Sequence, residues 1–465
     1  MKLLGNSASM PNPKIFTTKP EIIHSGNFNP RNYDPVYLFV KNRLKDCLDL
    51  HTVLSDDVTS GSTPPYWFFK KKYDEEVIPY VKTSAILRDF INLNDLHFIH
   101  PDYHYKRLKR SITHPYNVIF SMTGKFMGKA ALCPPQIKEL NMTQNSVVLR
   151  CKSPEESAFI CIYLNSTINQ TQIRGLYSIT KQKYLNQGNV RRLKVLEYSL
   201  AYKDDVKLYL QNLQASYDAV ISIQNTIKKF DQILGFDERA FDLNVDFTMK
   251  LSELDKKIFT PVNYRKDFIE AIRKFKKGLD MRRLDVFEPK KGNEIGSKNY
   301  LSDGIPFIKT SDYTNFGVDY QPNHYCSTSI YEEMEQNLQR GDILFTKDGK
   351  IGQTAIIEES AKIVYSSGSI RLRASSENER YWIFLLLSSV YGRILFERWT
   401  VIASTMAHLR KDFFEDFRVP IIDEGIKSEL VCELKTAFRK KKEAYEGIEA
   451  SKERILALMH EIIKA

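Results

Sequence analysis

Two stretches of this chain place an apolar residue every three or four positions for about four heptads. The first runs through Val206, Leu210, Leu213, Tyr217, Val220, Ile223, Ile227 and Leu234, with Gln224 at a strict seam position. The second runs through Leu434, Phe438, Lys441, Tyr445, Ile448, Lys452, Ile455, Met459 and Ile462, with lysine at two seam positions. This alternation is that of a coiled-coil seam. No proline interrupts either stretch, and both exceed the roughly three turns of an average helix. The pattern predicts two long helices, at about 204–234 and 424–465, that pack on each other.

The pattern between and before them is different. Val118–Phe120 and Ile343–Phe345 are short apolar runs ahead of a glycine turn, which predicts strands and hairpins. Ala158–Leu164 and Tyr381–Ser389 are compact apolar stretches after glutamate-bearing starts, and read as buried helices. A short helix is expected at Tyr37–Leu44, after the turn-like Asn32-Tyr33-Asp34-Pro35. Its counterpart is expected at Phe268–Leu279, after Ile258-Phe259-Thr260-Pro261.

These counterparts belong to a wider repetition. Ile78-Pro79-Tyr80-Val81-Lys82-Thr83-Ser84 returns as Ile305-Pro306-Phe307-Ile308-Lys309-Thr310-Ser311. Asn117–Lys125 answers Asp342–Lys350, Gln144–Arg150 answers Ser367–Arg373, and Leu193–Val195 answers Phe417–Val419. The blocks are collinear, at a period far beyond the roughly 20–50 residues of a solenoid or propeller unit. The period is that of a duplicated domain. The implied organisation is a lead with a short helix (1–42), a β-rich body (43–202), a long helix (203–235), a connector with a short helix (236–281), a second body (282–423) and a C-terminal helix (424–465). The fold class is α+β: two tandem β-rich bodies, joined and followed by long helices that form an antiparallel coiled coil.

At 465 residues and 42% apolar content the chain can bury a sizeable core. No run of about 18 apolar residues suggests a membrane helix, and Met1–Phe16 lacks an apolar signal core and reads as a cytosolic start. The six cysteines show no metal-ligand spacing and read as buried free thiols in a reducing compartment. The net charge of +11 points to an anionic partner, nucleic acid before membrane.

Three patterns imitate catalytic chemistry. Thr63-Pro64-Pro65-Tyr66 looks like an amino-methyltransferase tetrapeptide, but threonine takes the place of Asp, Asn or Ser, and no glycine-rich cofactor loop precedes it. Asp342 with Asp348-Gly349-Lys350 imitates a nuclease cluster, whereas the first copy has Asn117 and Thr123-Gly124-Lys125. His97, His100 and His104 have helical ligand spacing, but Pro101 interrupts them, and a solvated or core role is expected. No metal site is predicted.

What remains is basic. Lys106, Arg107, Lys109, Arg110, Lys125 and Lys129 fall in Tyr105–Lys129, a stretch with no acidic residue. Arg174–Lys194 is likewise acid-free, with Lys181, Lys183, Arg191 and Arg192 interleaved with Tyr177, Ser178 and Thr180. The second copy offers Lys347, Lys350, Arg393, Arg398, Arg410 and Lys411, diluted by acids. Basic groups neutralise phosphates, and polar groups among them read base edges.

At this point the chain resembles a family, the specificity (S) subunits of type I restriction–modification systems. Gly61–Trp67 followed by Ile78–Ser84 looks like the opening of that family's target recognition domain, and Gly341–Gly352 is similar to its central hairpin. The resemblance spans about residues 40–464 and departs at Asn117, where the family often has Asp, and in the second copy, which lacks the Gly-Ser-Thr-Pro opening. It implies a non-catalytic subunit whose two recognition domains each read half of a bipartite, asymmetric site on double-stranded DNA. The long helices would form a spacer and dock two modification subunits, with restriction subunits in complexes that cleave. Adenosylmethionine, ATP and magnesium would sit on those partners, and none on this chain. The duplicated Lys82, Thr83, Ser84 and Lys309, Thr310, Ser311 join the basic residues as candidate DNA contacts. The alternatives are a self-contained metal-dependent nuclease or methylase, which the purified chain would reveal by activity with magnesium or adenosylmethionine, and an RNA-binding protein, which competition between duplex DNA and RNA would reveal.

Overall fold

The computed structural model describes residues 33–236 and 287–464, apart from 73, 180–182, 361, 404–405, 411–412 and 421, together with 264, 269 and 282–283. The lead before Tyr33, all but residue 269 of the expected helix at 268–279 and most of the 236–281 connector lie outside the described residues. The chain divides into two compact units, one of residues 1–218 with 441–465, the other of residues 219–440. The sequence reading set the long helices apart as separate segments. Here each helix contributes one part to each unit, so the helices complete the cores.

In the first unit Asp34 caps the helix Pro35–Arg43 by accepting from the Val36 N–H. An antiparallel sheet follows, in the order Thr59–Ser60, Ser146–Leu149, Val118–Ser121, Ala130–Leu132. Its central strand is buried throughout because it is covered on both faces. Val118 and Phe120 enter one core, and Ile119 enters another with Val81, Ile86 and Met142. A second sheet orders Phe69–Lys70, His97–Ile99, Ile78–Val81, Asn141–Met142, its last pair parallel. Helix Pro154–Asn165 opens with Ser153, whose hydroxyl accepts from the Glu156 N–H at 3.1 Å, and Pro154 sits where no helical N–H is needed.

The second unit repeats this plan. Its sheet runs Lys290–Lys291, Ser369–Leu372, Ile343–Thr346, Thr354–Ile356. Ile305–Ile308 pairs antiparallel with Tyr325–Cys326 and parallel with Val364–Tyr365. A single bridge, Leu301 to Tyr325, stands where the first unit has a fourth strand. Ser376 caps Glu377–Ser388 as Ser153 does its helix. In each unit a two-residue ribbon joins the beginning of the body to its end, Leu48–Asp49 with Lys194–Val195 and Arg282–Arg283 with Arg418–Val419.

The long helices span Lys203–Ile233 and Glu424–Lys464. Within the first unit Arg454 pairs with Asp205, and Gly447 lies against Asn212, where an added Cβ would come within 2.6 Å. Going seven residues up one helix goes seven down the other, which is antiparallel packing in heptad register. Within the second unit Lys229 bonds Glu429 and Glu433, and Thr226 donates to Glu433. Most expected seam residues are buried, but Leu210, Ile227 and Leu234 are only partly so, and at the end of the second helix Ile462 is 53% exposed and Ile463 is buried. Among the thiols Cys133, Cys161 and Cys326 are buried, Cys47 and Cys151 partly so, and Cys432 is exposed, a departure from the expected burial.

Candidate nucleic-acid interface

Each body presents a lysine at the end of its duplicated strand. Lys82 Nζ lies 5.2 Å from the centre of the Phe69 ring, and Lys309 Nζ lies 4.1 Å from that of Tyr300. A histidine flanks each ring: His97 edge-on to Phe69 at 6.0 Å, His324 stacked on Tyr300 at 4.5 Å. A cation over a π face is held by the ring quadrupole, so both ammonium groups are positioned before any ligand arrives. The adjoining hydroxyls are committed internally: Ser84 donates to Asp95 at 2.8 Å and Ser311 to Asp312 at 3.2 Å. Thr83 and Thr310 each open a short 3-10 turn and are partly exposed. The solvated or core role expected of His97 did not include this contact, and nothing singled out His324. Their spacing matches that of the duplicated heptapeptides, a signal that could have found them.

The first basic run is partly dispersed by folding. Arg107, Lys109 and Arg110 are exposed. Lys106 pairs with Asp102 at 3.0 Å, an acid one turn before the run. Lys125 is exposed 4.9 Å over the Phe126 ring, whereas Lys129, 5.8 Å over the same ring, is only 7% exposed and leaves the solvent-facing set. In the second run Lys183 is exposed, 5.6 Å over the ring of a buried Tyr177. The side chain of Ser178 and all of Lys181 lie outside the described residues, as does Lys411. Arg191 is spent on structure: its guanidinium grips Asp57 through two bonds of 2.8 Å and holds that carboxyl below its usual range. In the second body Lys350 is exposed, Lys347 contacts Asp348, and Arg398 is buried beneath Trp399. Arg410 lies 5.9 Å over the same indole.

The catalytic look-alikes have structural partners. Asp342 accepts two bonds of 2.7 Å from Arg373, and Asp348 is engaged by Lys347 and His408. His104 is buried, in contact with Glu139 at 3.3 Å and Asn141 at 3.1 Å, and burial lowers its pKa. The Thr63 hydroxyl meets that of Thr143 at 3.2 Å. Gly61 explains the opening signature: a Cβ there would stand 1.8 Å from the Met142 carbonyl oxygen. Gly292 meets the Tyr365 and Ser366 carbonyls in the same way, at 2.4 and 2.2 Å. The second copy has lost the Gly-Ser-Thr-Pro string but kept the glycine that the close approach requires.

The described geometry is thus a pair of similar bodies with pre-positioned cations, and no group of three or more His, Cys, Asp or Glu is placed to hold a metal ion among the described residues. No described helix is long and apolar enough to cross a membrane. Comparison with known proteins adds a family. Residues 278–438 match the family model of the type I restriction modification DNA specificity domain. No curated protein matches the sequence. Among solved structures, the type I restriction–modification S subunit from M. genitalium is 12% identical, with 90% of this chain and 94% of that one covered and a TM-score of 0.33. The HsdS subunit from Thermoanaerobacter tengcongensis is 15% identical, with 90% and 95% covered and a TM-score of 0.28. At these values both are likenesses only, and the assignment rests on the family model. That family recognises DNA sequence, and the catalytic steps of such systems lie in partner subunits. The match covers the second body, which carries a type I restriction modification DNA specificity domain; the first body shares its strand order, helix caps and close-packed glycine.

Proposed function

We propose that the two bodies each read one half of a single bipartite, asymmetric site on duplex DNA, and that the chain directs adenine methylation and cleavage by its partners. The observation that carries this is the duplication: each body sets a lysine over an aromatic ring beside a histidine at the end of the same strand. Two copies of one reader on one chain suit one ligand with two similar but unequal ends. The partners are two modification subunits, which bring adenosylmethionine, and restriction subunits, which bring ATP-driven cleavage with magnesium. The paired helices dock the modification subunits, and the complex works in the cytoplasm, where the host DNA is.

The test is co-expression with a modification subunit, followed by mapping of methylated adenines. One split, asymmetric motif is expected, with no methylation by the chain alone. Replacing residues 43–202 by the corresponding body of a relative should alter one half of the motif and leave the other. Methylation by the chain alone, or a single undivided motif, would overturn the proposal.

A further inference from the structure

Each body carries a short hairpin anchored on the turn after its central strand, and the anchors match bond for bond. In the first body Leu185 N–H donates to the Met122 carbonyl at 2.9 Å, Met122 N–H donates to Asn145, and Thr123 bridges Tyr184. In the second, Leu409 N–H donates to the Lys347 carbonyl at 2.8 Å, Lys347 N–H donates to Gly368, and Asp348 bridges His408. The backbone frame is therefore shared. What differs is its chemistry: Met122, Thr123 and Tyr184 in one body, Lys347, Asp348 and His408 in the other.

The second set is connected. Lys347 Nζ lies 2.7 Å from both Asp348 oxygens, and Asp348 Oδ1 lies 2.8 Å from His408 Nδ1. The Lys347 and Asp348 side chains are 14% and 16% exposed, the His408 side chain 44%. An ionised carboxylate cannot donate, so Nδ1 carries the hydrogen. The neutral ring then has its lone pair on Nε2, which has no protein partner among the described residues. That is a hydrogen-bond acceptor on a half-exposed ring, oriented by a nearly buried ion pair, at the foot of a hairpin in a DNA-recognition domain. Exocyclic amino groups of adenine and cytosine are the donors that such an acceptor selects in the major groove. Tyr184, 42% exposed, puts a phenol at the equivalent place in the first body, a group that can donate as well as accept.

We infer that His408 is a specificity-determining residue of the second body, accepting from the amino group of one base, with Asp348 and Lys347 as its positioning residues. Tyr184 holds the corresponding reading position in the first body. This rests on the recognition role proposed above and goes beyond it by naming the position at which the two half-sites come to differ.

The test uses the full chain with its modification subunit and a randomised DNA library, scored by methylation. His408→Tyr should change the base preference at one position of one half-site by roughly tenfold or more, leaving the other half unchanged. Tyr184→His should do the same in the opposite half. Asp348→Asn should broaden the preference at the His408 position alone, because the ring is no longer held in one tautomer. Should His408→Tyr fail to fold, Tyr184→His and Asp348→Asn carry the test. Unchanged base preference in all three variants, with activity retained or uniformly reduced, would overturn the inference and make the node a hairpin anchor only. Absence of any sequence-specific methylation by the parent complex would instead remove the recognition reading on which it rests.

Discussion

Asp89 and Phe316 occupy the same corner of their respective bodies and solve it with opposite chemistry. Both backbones are left-handed, with φ of 69° and 62°. Both carbonyls accept from the sheet hairpin beside them, Asp89 from Leu132 and Phe316 from Ile356, each at 3.2 Å. Asp89 is 1% exposed and accepts from Asn165 at 3.0 Å and from Lys452 of the C-terminal helix at 2.7 Å. Burial works against the Lys452 charge, but Asp89 and Glu449 outweigh it and raise the ammonium pKa. Phe316 instead packs edge-on to Phe384 at 5.5 Å, and Phe384 packs edge-on to Phe438 of the same helix at 5.0 Å. Within its own unit each body thus engages the C-terminal helix, one by a buried ion pair and one by edge-to-face aromatics. An aromatic contact degrades by degrees when trimmed. A buried ion pair strands its partner when broken, a much steeper penalty.

The largest expected effect follows from that difference. Lys452→Met should destabilise the first unit by about 3–5 kcal/mol, since Asp89 is left charged in the interior. Adding Asp89→Asn should recover most of the loss, because asparagine tolerates the left-handed backbone and needs no counter-charge. Hydrogen exchange of the strand Val118–Ser121 would report both. If the two substitutions simply add, the pair is not coupled and the comparison fails.

A smaller contrast separates Asn117 from Asp342, which hold the same place ahead of the central strands. Asn117 accepts one backbone bond, from His114 at 3.0 Å, and Arg150 turns instead to the Arg110 and Ile112 carbonyls and to Asp56. Asp342 accepts the matching bond from Gln339 at 2.8 Å and also holds Arg373. Asn117→Ala should cost about 1 kcal/mol, one neutral hydrogen bond, and Asp342→Ala about 2–3 kcal/mol, since Arg373 loses both charged bonds. Exchange rates of Val118–Ser121 and Ile343–Thr346 in the two variants would check the order. Equal costs would mean that the carboxylate adds nothing to the amide's structural role.

The elements that the sequence made legible are those with a strong local signal. The first long helix was expected at about 204–234 and spans Lys203–Ile233; the buried helices begin at their serine caps, and the repeated blocks fall on equivalent strands. Tyr209 and Phe230 were missed as core because the first long helix buries a second stripe besides its seam. The two-residue strands carry too few positions for any periodicity to register. The candidate site was legible as composition but not as geometry. Counting charges cannot distinguish the exposed Lys109 from the buried Lys129 or Arg398. The Asp348–His408 contact joins residues 60 positions apart, which no local pattern encodes.

The smallest expected effect is a pH dependence confined to the first unit. His104 is buried, with Nδ1 3.1 Å from the Asn141 amide nitrogen and Nε2 3.3 Å from Glu139. An amide nitrogen donates, so Nδ1 is the acceptor and the ring is neutral, with its hydrogen on Nε2. Protonation would set a second N–H against that amide, and burial already depresses the pKa, with Glu139 opposing only in part. The unfolded chain takes up its proton near the ordinary histidine value of about 6.5, and the folded chain only at lower pH. Between those two points the unfolded state binds more protons, so stability falls as pH drops below about 6.5 and levels off below the folded pKa. The duplicated plan places no histidine at this point of the second body, and His104→Gln should remove the slope. Unfolding of the parent and the variant, followed between about pH 7 and pH 5 by exchange of the strand Ile78–Val81, should show the parent alone losing stability. Parallel curves for the two proteins would assign the acid sensitivity to some other group and leave His104 a neutral packing residue at every pH.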